Sequence, residues 1–249
     1  MPCGSEHEIC AERLMSPTRS AVVPKRRCCR TLNGGSAVEG TASPLRVLCR
    51  VVRSMESAVA LVAPHCDIVE RLRLIPPSAQ VRGVWMKNVE RQVDRLGLTA
   101  RYRSYFPNDN FSSLSFYPVS DLLIRTACAG AIVAPPEQVH AGMFLITKGN
   151  AEAFMDTLLG RIMLRVLSRD PVRLLEQGLA ARRQTFTYGH WEIRRHSARE
   201  IEMVHESEYW WIESAIAGAA QGTFEACGIK GEISTTLHDR FNGSSFFRW

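Results

Sequence analysis

The stretch "TFTYGHWEIRRHSAREIEMVHE", residues 185–206, decides the fold, because the apolar period changes within it. Before Arg183 the apolar residues recur at helical spacing; from His190 they alternate. Trp191 and Ile193 fall on one side, and His190, Glu192 and Arg194 on the other. After a turn at "RHSAR" the chain returns with Ile201, Met203 and His205 opposed to Glu200 and Glu202. Alternation with one polar face predicts a half-buried antiparallel hairpin.

Next comes "SEYWWIESAIAGAAQGTFEACG", residues 207–228, which predicts a helix capped by Ser207 and ended by Gly228. Gly218, Gly222 and Ala226 recur every four residues and leave one stripe nearly bare, beside an apolar face of Ile212, Ile216, Ala219, Thr223 and Cys227. Such a stripe admits another backbone at close range. The expected partner is the sheet or a crossing helix of the same chain, with a subunit interface as the lesser alternative. The closing segment, "IKGEISTTLHDRFNGSSFFRW", predicts a second hairpin. A three-residue loop, Phe241 to Gly243, is preferred to a two-residue Asn242-Gly243 turn. It pairs Leu237 with Phe247, puts Ile233, Leu237, Phe247 and Trp249 on one face, and requires Gly243 in the left-handed conformation.

Upstream the pattern is helical. Val84/Trp85, Val89 and Val93 form a stripe ended by Gly97, and from Pro118 a second follows with Val119, Leu122/Leu123, Thr126/Ala127 and Gly130/Ala131. "PEQVHAGMFLITKGN" predicts a helix ending at Gly149, with Asn150 capping another whose face is Phe154, Leu158, Ile162 and Val166. Asp170-Pro171 restarts a helix that turns Val172, Leu175 and Leu179 inward. The fold class expected is α/β of the α+β kind: a helical N-terminal half packed on a roughly four-stranded antiparallel sheet, made of two hairpins with one helix between them. Residues 68–249 read as a single domain. Residues 1–54 read as a disordered tail or a mis-annotated N-terminal extension ahead of Met55.

Charge and cysteine separate the same two parts. Residues 1–54 hold nine Lys/Arg against four Glu, a net +5, so the formal +6 of the 249-residue chain leaves about +1 for the rest. A nucleic-acid-binding domain carries its basic footprint on the folded part, so no nucleic-acid partner is expected. No run approaches the roughly 18 apolar residues of a membrane span. The longest candidate, "AVALVAPHC" from Ala58, is interrupted by Pro64 and His65. Five of the eight cysteines precede Met55 without paired zinc-site spacing, while Cys66, Cys128 and Cys227 read as buried free thiols of a reducing, cytoplasmic setting. No metal or cofactor is expected.

No G-x-S-x-G, P-loop, G-x-G-x-x-G or H-E-x-x-H motif occurs, and no acid–base pair stands out, which weighs against an enzyme. Four residues are candidates for a ligand site: Trp191, Met203, His205 and Trp211. His205 shares the face of Ile201 and Met203, although a strand-end histidine bonded to backbone explains it more simply. The tryptophans serve equally as core aromatics or as pocket lining. Arg161, Arg165 and Arg169 make one helix flank basic, read as a solvated face. The leading reading is a non-catalytic small-molecule-binding or sensory domain with an apolar pocket. The alternative is a scaffold that forms a homodimer through a helical face without a ligand.

"RLRLIPPSAQVRGVW", "YPVSDLLIRTACAGA", "TYGHWEI" and "YWWIESAIAGAAQGTFEACG", with the long helical run from His140, resemble an uncharacterised family restricted largely to Myxococcales, over residues 68–249. The order hairpin, small-residue helix, closing hairpin is similar to the C-terminal half of a broader superfamily. It joins vinyl-reductase-type small-molecule-binding domains, haem nitric-oxide sensors and Bet-type tethering subunits. That resemblance implies helices packed on an antiparallel sheet that often holds an apolar ligand. The vinyl-reductase type carries cysteines flanking the last turn, where this chain has Asp239, Ser244 and Ser245. The haem sensors carry a Tyr-x-Ser-x-Arg run; the nearest here, Tyr102-Arg103-Ser104-Tyr105-Phe106, lacks the arginine, which implies no haem.

Overall fold

A computed structural model describes residues 55–107, 110–155 and 170–249, with the side chains of 151–155 excepted. The tail read over residues 1–54, the helix face from Phe154 to Val166 and the flank Arg161/Arg165/Arg169 lie outside the described residues. Helix α1 occupies residues 55–62 and sends Ala58 and Val62 into the core, ahead of the Ile68 boundary read from sequence. Then follow α2 (Ile68–Leu74), β1 (Gln80–Arg82), α3 (Val84–Arg95), α4 (Thr99–Tyr105), β2 (Phe116–Pro118), α5 (Val119–Val133) and α6 (Val139–Met155). The second half comprises α7 (Pro171–Thr185), β3 (His190–Ser197), β4 (Glu200–Glu206), α8 (Ala217–Ala226), β5 (Glu232–Leu237) and β6 (Gly243–Arg248). Among the described residues no helix is long and apolar enough to cross a membrane.

The expected sheet is present: four antiparallel strands in the order β3-β4-β6-β5, two hairpins joined along β4 and β6. Trp191 pairs with His205 and Ile193 with Met203, and Ile201 and Met203 are buried as the alternation requires. A two-stranded ribbon of β1 and β2, unread in the sequence, pins the start of α5. Helix α5 is buried on nearly all sides, and α6 packs against α3, α5 and α8.

Three local readings are corrected. Helix α6 does not stop at Gly149 but continues to Met155. Asn150 is 4 % exposed and so serves inside the packing, not as a cap. The segment from Ser207 is not helical at once: Ser207 sits at φ 52, residues 208–211 are irregular, and a π turn over Ile212–Ile216 precedes α8. The wide turn is closed by Ile216 N–H donating to the Trp211 carbonyl at 2.9 Å. The closing hairpin pairs Ile233 with Phe247 and Leu237 with Gly243, leaving residues 238–242 as the loop. Gly243 is not left-handed. Asp239 sets this longer loop, its carboxylate accepting from the backbone N–H of Phe241 (2.8 Å) and Asn242 (2.9 Å) and from the Asn242 amide (2.7 Å). A side chain that mimics a turn outweighed the Asn-Gly signal.

The bare stripe has its partner in α6. A Cβ at Gly218 would strike the Phe144 carbonyl, and one at Gly222 the Lys148 carbonyl. The two helix backbones touch there, so this stripe is not a subunit interface. Gly222→Ala is expected to lose about 1–3 kcal/mol by overpacking, read as a fall in thermal midpoint. In α7, Gly178 has nothing within 4 Å of an added Cβ. Gly178→Ala should therefore gain roughly 0.5–1 kcal/mol from helix propensity alone. Equal responses at the two positions would refute the assignment of the stripe.

Candidate functional site

Two apolar cores meet inside the molecule. One surrounds α5 and α6 and includes Trp210 and Trp211; the other joins Leu174 and Leu175 of α7, Ile201 and Met203 of β4, Phe224 of α8 and Phe247 of β6. Between them lies a cleft of about 180 Å³. Helix α7 faces it with Leu174, Leu175, Gly178, Ala181 and Arg182, a stripe at helical spacing. The opposing stripe is Ile216, Ala219, Ala220, Thr223 and Phe224. Both stripes are large at their ends and small in the middle, so the helices leave a gap where leucines would have closed it. Gly178 and Ala181 are exposed and mark the mouth; Met203, Phe224 and Phe247 form a buried floor.

At one end of the cleft stands a buried ion pair. Glu208, 1 % exposed, follows β4, and all four of its contacts are donors. Oε2 accepts from Arg182 Nη2 at 2.5 Å and from Trp191 Nε1 at 2.9 Å. Oε1 accepts from Tyr188 Oη at 3.2 Å and from the Trp210 backbone N–H at 2.9 Å. The Arg182 guanidinium lies 4.5 Å from the Phe186 ring centroid, 5.0 Å from that of Tyr188 and 4.5 Å from that of Trp191. Such stacking serves the faces of a cation whose edge serves the carboxylate. Burial, followed by the adjoining Glu208 carboxylate, holds the Tyr188 phenol well above its usual range, so it stays protonated.

Of the four candidates, Trp191 and Met203 line the cleft. His205 lies fully buried behind them, edge-on to Trp191 with ring centroids 4.7 Å apart and Nε2 2.8 Å from Ser245 Oγ. Burial, aided by the Arg182 charge, pushes the His205 pKa down from 6.5 to about 3, so the imidazole is neutral. Trp211 is elsewhere. Its Nε1 donates to Asp67 Oδ1 at 2.9 Å, and its ring lies 5.0 Å beneath the Arg71 guanidinium. Asp67 also accepts from Arg71 Nε (2.8 Å) and Arg240 Nε (2.9 Å). Burial works to raise the Asp67 pKa, but Arg71 and these bonds outweigh it and hold it below its usual value. Trp211 thus clasps α2 to the closing hairpin, and its neighbour Trp210 takes the place in the cleft.

Trp85, Arg182, Glu208 and Trp210 were not among the candidates. Trp85 reads as part of a helix stripe, no periodic pattern singles out Arg182, and the π turn decides which of the adjacent tryptophans faces which core. Burial raises the thiols of Cys66 to about 11 and Cys128 to about 12, and Cys227 also upward; all three are free. Among the described residues no three His, Cys, Asp or Glu side chains converge as a metal site would require.

An antiparallel four-stranded sheet with helices packed against it is a fold similar to that of H-NOX proteins. The crystal structure of the Fe(II) unliganded H-NOX protein from K. algicida superposes with a TM-score of 0.52 at 13 % identity, covering 67 % of this chain and 95 % of that one. A mutant of that protein gives the same values. A structure described under "Modulating Heme Redox Potential Through Protein-Induced Porphyrin Distortion" gives a TM-score of 0.53 at 11 % identity, covering 68 % and 99 %. The chain belongs to the family described as "Protein of unknown function (DUF2378)", whose profile matches residues 74–246. No curated protein matches it.

Two measurements test the site. Glu208→Gln places an amide NH₂ among four donors and should cost about 3 kcal/mol or more in denaturant unfolding. A change within experimental error would show that the carboxylate is not required. The second concerns His205, whose folded pKa lies below its ordinary 6.5. The unfolded chain takes up the proton first, so stability is full above pH 6.5 and falls as pH drops toward 3. The slope is at most about 1.4 kcal/mol per pH unit. Between about pH 6.5 and 5, where carboxylates titrate little, His205→Gln should flatten the wild-type slope. Parallel slopes would contradict the neutral buried histidine.

Proposed function

We propose that residues 68–249 form a non-catalytic small-molecule-binding or sensory domain, with the cleft between the two cores as its ligand site. The cleft itself carries this reading: small residues centred on two facing helical stripes, above a floor of Met203, Phe224 and Phe247. Gly178 supports it, since no backbone approach explains a glycine within α7 facing open space. An interior helical glycine costs roughly 0.5–1 kcal/mol against alanine. The likeness to H-NOX proteins supports a fold with room for a ligand between helices and sheet.

Haem itself does not fit this cleft. A cavity of roughly 150 Å³ accommodates benzene, and a tetrapyrrole is several times larger. Among the described residues the lining offers one side chain of a haem-ligating type, the Met203 thioether. In the Tyr102–Phe106 run, Tyr102 and Phe106 are buried in the core, with the Arg125 guanidinium 4.3 Å from the Phe106 ring centroid, while Arg103 and Ser104 are exposed. The proposed ligand is therefore a compact apolar molecule. Trp191 and Met203 would contact it, His205 would support Trp191 from behind, and Trp211 would hold the scaffold. A homodimer would use a helical face other than the Gly218/Gly222 stripe.

Native mass spectrometry of the purified chain, before and after organic extraction, tests the proposal. The expected result is an extra mass that extraction removes and that Met203→Trp, which fills the floor, abolishes. A clean unliganded mass for the wild-type chain, or retention unchanged by Met203→Trp, would overturn the cleft as ligand site.

A further inference from the structure

The cleft is apolar in its walls but not in its unmet demands. Three of its lining residues carry buried N–H groups that meet no acceptor among the described residues: Trp85 Nε1, Trp210 Nε1 and Arg182 Nε. They are neighbours. The Trp85 and Trp210 rings lie edge to face with centroids 5.7 Å apart, Phe186 stacks 5.3 Å from Trp85, and the Arg182 guanidinium lies 4.5 Å over Phe186. Other donors around the cleft are engaged. Trp191 Nε1, the Trp210 backbone and Arg182 Nη2 go to Glu208, and Trp211 Nε1 goes to Asp67. Glu208 has no further lone pair to offer, since each oxygen already accepts twice. Buried donors left without acceptors destabilise a fold, and a cluster of them beside a cavity calls for an acceptor from outside the chain.

Resting on the cleft reading above, we infer that the ligand carries a neutral hydrogen-bond acceptor, a carbonyl oxygen on a single-ring or short-chain apolar body, placed among the donors of Trp85, Trp210 and Arg182 so that it accepts from two of them. Size follows from the volume. About 180 Å³ is close to the roughly 150 Å³ that holds benzene, so one ring with a short substituent fills it. Neutrality follows from charge: Arg182 is already balanced by Glu208, so a carboxylate would bring an uncompensated charge into an apolar cleft next to another carboxylate. A carbonyl oxygen, with two lone pairs, satisfies two of the three donors without that cost.

The test uses three probes of nearly one shape: acetophenone, α-methylstyrene, in which a methylene replaces the oxygen, and benzoate. Binding to the full chain is read by quenching of tryptophan fluorescence and by calorimetry. Acetophenone should bind at least tenfold more tightly than α-methylstyrene, and benzoate more weakly than acetophenone. Trp210→Phe keeps an aromatic ring and removes one donor; with the fold checked by circular dichroism, the acetophenone preference should shrink severalfold. Equal affinities for acetophenone and α-methylstyrene would overturn the acceptor inference while leaving an apolar ligand site. A preference for benzoate would overturn neutrality, and a preference unchanged in Trp210→Phe would remove that donor from the site. No binding by any probe would remove the cleft reading together with the inference.

Discussion

The carboxylate of Glu208 is the contact on which the second half of the molecule depends. A buried carboxylate is costly unless its lone pairs are engaged, and here four donors from four places in the chain supply that engagement. Arg182 comes from the end of α7, Tyr188 from the connection to the sheet, Trp191 from β3 and the Trp210 amide from the approach to α8. Each donor ties one element to the same point. The Trp210 contact matters most for topology. It holds residues 208–211 out of helix, so the wide π turn begins at Ile212 and the Gly218/Gly222 stripe meets α6. Charge geometry thereby sets the phase of α8, and the phase of α8 sets which residues face the cleft.

Most of the architecture was legible in the sequence because it rests on period. The alternation of Trp191/Ile193 and Ile201/Met203 gave the first hairpin, and the four-residue recurrence of glycines gave the close helix contact. What failed was decided by single side chains acting across distance. Asn150 resembles a cap, but it sits in a helix that neighbours hold together from α3, α5 and α8. The closing turn reads as a three-residue loop, Phe241 to Gly243, yet Asp239 bonds two backbone amides and builds a longer one over residues 238–242. In the site, Trp191 and Met203 were readable from strand alternation. Trp210, which was not a candidate, lines the cleft where Trp211 does not, because the register of a segment held by Glu208 does not appear in any periodic pattern.

Arginine carries an unusual share of the interior. Arg71 lies over Trp211 and Phe241, Arg125 over Phe106 and Phe111, and Arg182 over Phe186, Tyr188 and Trp191. A guanidinium is weakly hydrated and flat, so aromatic faces replace water above and below it while its edge keeps its hydrogen bonds. Arg71 and Arg182 each lock a tryptophan through a shared carboxylate, Asp67 for Trp211 and Glu208 for Trp191. The same device is used twice: at Asp67 it closes the molecule, and at Glu208 it borders a cavity.

That difference gives the proposed ligand a route to a response. Helix α7 reaches the sheet through Leu174, Leu175 and the Arg182 pair, while its middle turns, at Gly178 and Ala181, look across open space toward α8. A molecule filling that space would add apolar contact beside the buried Arg182–Glu208 pair that ties the helix to the sheet. On the proposed reading, occupancy is therefore expressed as the firmness with which α7 is held over the sheet, because binding free energy that requires α7 in place also stabilises it in place. A fully packed interface of leucines would have fixed the helix permanently and left nothing for a ligand to change.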